Sequence, residues 1–236
     1  MSAIRSLLQF TTILPLGKAE DLGDFARHSY LYPLAGYLIG GLVAIPVLFI
    51  PDRVIAAACA VALLILLTGA HHLDGLLDFG DGLMAHGDRE VRIRALTDRN
   101  IGAGAVALGM VTILLLFAGL QESPSIAAAL VAGEVCAKFS MAYLTAYGSP
   151  FREGLHSFLH ASAKPFFPLI AFAICLPLAL LPLAPVKIAG AFILMILCPL
   201  AMQGVAGRLF GGVNGDVVGA CNEITRAVVI LGIALL

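Results

Sequence analysis

VIAAACAVALLILLTGAHHLDGLLDFGDGLMAHGD, residues 54–88, joins two kinds of sequence that rarely touch. The first part, 54–71, is apolar and long enough to cross a lipid bilayer as a helix. The second part carries Asp74, Asp78 and Asp81. At about 100° per residue their i, i+4, i+7 spacing puts all three carboxylates on one helix face, within roughly 60° of arc. His71 and Asp88 fall near that face. Like charges stacked this way repel. A divalent cation is the simplest relief, and an oxygen-only ligand set favours a hard ion such as Mg²⁺. Three glycines, Gly75, Gly80 and Gly82, interrupt the segment and let a ligand or a neighbouring backbone come close. The bland alternative is a solvated helix end whose acids face water.

The rest of the chain has the same character. Of 236 residues, 60% are hydrophobic and 12% charged, about half the charge of a soluble domain. The expected fold class is all-α: a polytopic membrane bundle of 6–7 transmembrane helices plus an N-terminal interfacial or re-entrant helix, in one domain over 1–236. Apolar runs of spanning length lie at about 30–50, 54–71, 101–120, 125–147, 166–184 and 188–206. A seventh, about 217–236, is interrupted by Asn222, Glu223 and Arg226, so its status as a span is open. Near the N-terminus SLLQFTTILPLG is too short to span and contains Pro15, which points to an interfacial or re-entrant helix. The five cysteines form no CxxC pair, and neither disulfides nor a zinc finger is expected. The net charge of -1 says nothing about nucleic acid, but no basic stripe supports such a partner and none is expected.

The cations assign the sides. With a cytoplasmic N-terminus, the segments 1–29, 72–100, 148–165 and 207–216 hold ten of the fourteen Lys and Arg residues. Arg53 and Lys187 alone lie on the far side, while Lys138 and Arg226 lie inside spans. The positive-inside rule favours this orientation. Every polar cluster with chemical character then faces the cytoplasm.

Three further segments carry such clusters. LTDRNIGAGAVA (96–107) holds Asp98, Arg99 and Asn100 before Gly102 and Gly104. Glycine amides at a helix start suit an anion, and Arg99 would add a phosphate contact. An ordinary N-cap with small packing residues explains the same letters equally well. FREGLHSF (151–158) contributes Arg152. GRLFGGVNGDVVGACNE (207–223) contributes Arg208, Asn214, Asp216 and Glu223; it reads either as an interhelical turn or as a backbone closing over a phosphate–metal unit. Glu223 within a span is a functional candidate, though Arg226 three residues on would neutralise it. Glu134 and Lys138, at i and i+4, read as a structural ion pair. His28, His156 and His160 read as interfacial.

Taken in order, these segments resemble the cobalamin synthase family. GAHHLDGLLDFGDGLMA (69–85) closely matches its G-x-HLDGLxDxxDG motif. FARHSYLYPLAGYLIG (25–40), DRNIGAGA (98–105), FREGLHSF (151–158) and GGVNGDVVGACNE (211–223) resemble other family segments in the same order. Departures are Ile13 for an arginine, Asn100 for an arginine beside Arg99, His156 for a glycine, Asn214 for a threonine and Arg226 for an acidic residue. The resemblance implies Mg²⁺-dependent transfer of adenosylcobinamide phosphate from adenosylcobinamide-GDP to α-ribazole or its 5′-phosphate, with release of GMP. On that reading Asp74, Asp78 and Asp81 hold the metal, and Asp98 and Asp216 complete the catalytic set. His72, Arg99, Asn100, Arg152, Arg208, Asn214 and Glu223 contact substrate. The expected partners are these small molecules and the lipid bilayer; a homo-oligomer is left open.

Two rivals stand beside it. Asp78-x-x-Asp81-Gly82-x-x-Ala85-His86 partly resembles the signature of CDP-alcohol phosphotransferases, but His86 replaces its arginine and the following glycine and two aspartates are missing. A cation or corrinoid transporter would place its polar groups near the bilayer midplane.

Overall fold

The computed structural model describes residues 2–18 and 20–236, and these are helical apart from turns and one isolated parallel bridge between Pro150 and Val213. Twelve α-helices follow one another among the described residues. They are α1 (Ser2–Thr11), α2 (Leu22–Ala26), α3 (Tyr32–Val47), α4 (Arg53–Thr68), α5 (His71–Met84), α6 (Arg89–Leu96), α7 (Ala103–Glu122), α8 (Ile126–Tyr147), α9 (Leu155–Ser162), α10 (Phe167–Cys175), α11 (Pro185–Leu209) and α12 (Gly215–Leu235). Short 3₁₀ turns, Ser29–Leu31 and Leu176–Leu180, precede α3 and extend α10.

Five helices are long and apolar enough to cross a membrane: α3 with its leading turn, α7, α8, α11 and α12. On the expected runs 54–71 and 166–184, α4 and α10 are too short to cross alone. The number reaches seven if each bent pair, α4–α5 and α9–α10, counts as one span, and a re-entrant loop has the same shape. The chain is thus built as a multi-pass membrane protein. Its outward faces carry bare Leu66, Leu169, Leu180 and Phe49, an apolar surface that suits lipid tails. The seventh span, open on sequence grounds, is one unbroken helix. Its polar residues turn inward and are paired instead of breaking the helix.

At the centre runs α8, buried over most of its length, with α3, α10, α11 and α12 around it. Gly36 and Gly40 on α3 let that helix lie against the α8 backbone; a Cβ on Gly36 would stand 2.7 Å from Val135 Cα. Such small-residue spacing is how membrane helices gain contact without a hydrophobic driving force. Between α8 and α12 lies a buried polar network. Arg226 is ion-paired to both Glu134 and Glu223. Lys138 donates to Asn222 Oδ1 at 2.7 Å and stands 3.6 Å from Glu134. The expected Glu134–Lys138 pair exists, but it belongs to a set of two acids and two bases joining two helices.

The junction of α4 and α5 decides where the aspartates go. Gly69 (φ 64°) and Ala70 (φ 58°) both adopt the left-handed conformation, and the chain turns by 96°. Glycine takes this conformation freely, whereas alanine pays about 1–2 kcal/mol. Ala70 is the one non-glycine residue with positive φ among the described residues. After this corner α5 packs on the first turns of α7 and α12 in antiparallel register, Gly80 against Gly104 and Gly75 against Asp216.

Candidate active site

The 14-residue α5 carries Asp74, Asp78 and Asp81 as its spacing predicts. Its glycines serve helix packing. A Cβ on Gly75 would lie 2.8 Å from the carbonyl oxygen of Asp216, and one on Gly80 would lie 2.7 Å from that of Gly104. The helices approach too closely there for any side chain. Gly75 thereby brings the start of α12, with Asp216, beside the acid face.

The loop before α12 is held in place from the other side. Val213 N–H donates to Ser149 O at 2.8 Å, and Gly212 is pressed so close to Ser149 and Phe151 that a Cβ there would stand 2.4 Å from the Ser149 carbonyl oxygen. Asn214 caps α12, its Oδ1 accepting from Val217 N–H at 3.1 Å, and its Nδ2 donates to Asp216 Oδ2 at 2.6 Å. These ties carry Arg152 to within 3.6 Å of Asp216. Two segments some sixty residues apart in the chain thus meet at the acid face, as the common-side reading requires.

The electrostatics are unbalanced. Partial burial, followed by the negative charges of Asp216, Asp74 and Asp81, pushes the Asp78 carboxyl up to about 6; Arg152 opposes this. Four carboxylates therefore share one nearby guanidinium. That is a site prepared for added positive charge.

Asp81 has a second task. Its Oδ2 accepts from Gly102 N–H at 2.7 Å and its Oδ1 from Ala105 N–H at 2.8 Å. It caps α7 from another helix, so the amides of Gly102 and Ala105 are taken by the protein's own carboxylate. At Gly102 the capping-and-packing alternative therefore holds. Each Asp81 oxygen keeps a lone pair free of these bonds.

Asp98 is exposed, and its Oδ1 accepts from the backbone N–H of Asn100 at 2.9 Å and from its Nδ2 at 2.8 Å. Those two bonds hold its carboxyl below the usual range. This closed turn lies beside the Asp81-capped start of α7, with Arg99 exposed on it. Arg208 is exposed at the end of α11. Glu223 lies about two turns inside α12, where it serves the buried network and not the acid face. His156 and His160 bond to the carbonyls of Gly148 and Thr145, consistent with a structural role. His72 is 5% exposed, and its Nδ1 has no hydrogen-bond partner.

Among the described residues no three His, Cys, Asp or Glu side chains form a metal cage unaided. The donor set still fits Mg²⁺ in its usual mode, in which one or two carboxylates hold the ion and substrate phosphate and water complete its shell. Asp78 with Asp74 or Asp216 would be the holding pair. Sequence reasoning missed Tyr32, Met141 and Thr145, which line a cavity next to Asp216. They sit within apolar runs and carry no local signal.

Comparison with known proteins identifies the family. The chain is 39% identical to an adenosylcobinamide-GDP ribazoletransferase of Halorubrum lacusprofundi, covering 96% of this chain and 94% of that protein. It is 36% identical to proteins of the same name from Methanocella arvoryzae, covering 96% and 92%, and from Deinococcus radiodurans, covering 97% and 84%. No solved structure matches. The family described as cobalamin-5-phosphate synthase matches residues 3–234, so with the HLDGLLDFGDG helix at its centre this chain belongs to that family.

Proposed function

We propose that this protein transfers the adenosylcobinamide-phosphate group of adenosylcobinamide-GDP to α-ribazole or α-ribazole 5′-phosphate and releases GMP. The observation that carries this reading is the surplus of carboxylates at one end of the bundle, in a chain matched nearly end to end by ribazoletransferases. A ribose hydroxyl oxygen of the acceptor bonds to the cobinamide-bearing phosphorus. The bond from that phosphorus to the bridging oxygen breaks, and GMP leaves with the electron pair. Such a transfer needs charge neutralisation and in-line placement above all.

Each residue has a task in this scheme. Asp78, with Asp74 or Asp216, would hold Mg²⁺, and Asp81 keeps α5 docked on α7. When bound, the metal offsets negative charge on the diphosphate. Arg152, beside Asp216, binds a diphosphate oxygen. Arg99 and Arg208, both exposed, are further phosphate contacts. An aspartate carboxylate accepts the proton released by the attacking hydroxyl. The acid end faces the cytoplasm, a reading supported by ten of the fourteen cations lying in segments on that side.

The test is a reconstitution in nanodiscs with adenosylcobinamide-GDP, α-ribazole phosphate and Mg²⁺. Equal amounts of GMP and a cobalamin product are expected, both lost with EDTA and recovered on adding Mg²⁺. No product from a folded sample would overturn the assignment.

A further inference from the structure

A cavity of about 500 Å³ opens beside Asp216, on the side away from α7. Its inner wall is Tyr32, Met141, Thr145, His156 and Leu159, all nearly or fully buried, together with His72. Its mouth is exposed and includes Arg152, Glu153 and Gly215, with the Asp216 carboxylate at the edge. The N-terminal helix closes one side. Phe10 stacks on Phe25 with centroids 4.9 Å apart, and Phe25 meets Tyr32 edge-on at 5.1 Å. Gln9, also on the wall, is bonded to the backbone of Lys18 and Glu20.

We infer that this cavity is the acceptor subsite, holding a nucleoside with a flat, largely apolar base in its interior and the ribose turned toward Arg152 and Asp216. The inference rests on the ribazoletransferase reading and adds where the acceptor binds and what selects it.

Three observations support it. The first is size. The volume lies within the usual range for small-molecule sites, about 300–1,000 Å³. A nucleoside fits inside it, whereas a corrin ring with its nucleotide arm does not. The second is chemistry. Aromatic, thioether and leucine side chains form much of the wall, which suits a benzimidazole. The third is His72, on the wall with a buried ring nitrogen that lacks a partner. A lone buried polar atom of this kind costs about 1–3 kcal/mol. A nucleoside hydroxyl or ring nitrogen offers the imidazole a partner. A ligand seated this way presents its ribose at the edge of the carboxylate cluster, where the phosphorus must arrive.

The experiment measures KM separately for acceptor and donor, following GMP release by the protein in nanodiscs. Two variants are compared with the unaltered chain. Gly215→Leu narrows the mouth, at a position with no positive φ and nothing within 4 Å of an added Cβ; its melting curve is measured beside its kinetics. His72→Gln keeps a polar side chain but changes its shape. In both, acceptor KM should rise at least about tenfold while donor KM stays within about twofold. Inhibition by GMP, which reports the donor's nucleotide site, should be unchanged. Unaltered acceptor KM in both variants would overturn the subsite. So would a rise confined to donor KM with weakened GMP inhibition, which would put the donor's guanosine in this cavity. Absence of GMP release by the unaltered chain is a different failure: it would overturn the reaction itself, and the subsite with it.

Discussion

Two groups of charges in this molecule obey opposite rules. Between α8 and α12, Glu134, Lys138, Glu223 and Arg226 are buried, and the two signs balance. Beneath α5, Asp74, Asp78, Asp81 and Asp216 face one another with Arg152 as the adjacent cation. Burial in a membrane protein forces charges to cancel within the chain, because nothing else is present to compensate them. At the open end water can hold an imbalance, and the imbalance is kept for a ligand. A charge cluster of the first kind holds helices together. One of the second kind binds something.

This contrast can be broken from either side. The largest effect is expected from Arg226→Met, which leaves Glu134 and Glu223 with Lys138 alone. Removing one partner of a buried ion set costs about 3–5 kcal/mol, so the melting temperature in detergent should fall steeply. Adding Glu134→Gln restores the balance and should recover part of the loss. A melting curve for Arg226→Met that overlays the parent would show that the network has no such role.

Next is Asp78→Asn. Turnover should drop by roughly a thousandfold, the scale seen on losing a key electrostatic group, while the protein still inserts and melts no earlier than the parent. The pH dependence sharpens this. In Mg²⁺-free buffer the Asp78 carboxyl is held near 6 in the folded chain, above its ordinary value. The folded state therefore binds an extra proton between about pH 4 and 6, and stability falls as pH rises through that window. Asp78→Asn should flatten that slope, as seen in thermal melts across the range. Near-normal turnover in the variant would sink the role of Asp78.

Asp81→Asn separates the two tasks of that residue. An asparagine oxygen keeps at most one of the two amide bonds from α7, so stability should fall by about 1–2 kcal/mol, the cost of a lost cap. Activity should fall as well. A variant that loses activity with an unchanged melt would mean the cap is dispensable. The smallest effect is expected from Ala70→Gly, which relieves the left-handed alanine at the α4–α5 corner. A gain of about 0.5–1 kcal/mol is expected, net of the greater freedom glycine gives the unfolded chain; a lower melting temperature would argue against strain there.

Much of this was legible in the letters. Long apolar runs announced the spans, because a bilayer demands about 20 apolar residues per crossing. The i, i+4, i+7 spacing placed three aspartates on one face, because helical periodicity is local. Pairing was legible in part: Arg226 lies three residues from Glu223, but its bond to Glu134 of another helix was hidden. The glycines of α5 were ambiguous, since close approach of a ligand and of a backbone ask for the same residue.

Sequence alone thus determined the helices, their membrane character and the gathering of three aspartates on one helix face, all set by composition and by neighbours within one or two turns. Tertiary structure decided the rest. It set the 96° corner between α4 and α5, the capture of Asp81 by the amides of Gly102 and Ala105, the meeting of Arg152 with Asp216 and the cavity beside them. Each depends on contacts between residues far apart in the chain, whose strength comes from packing and burial that no local pattern encodes.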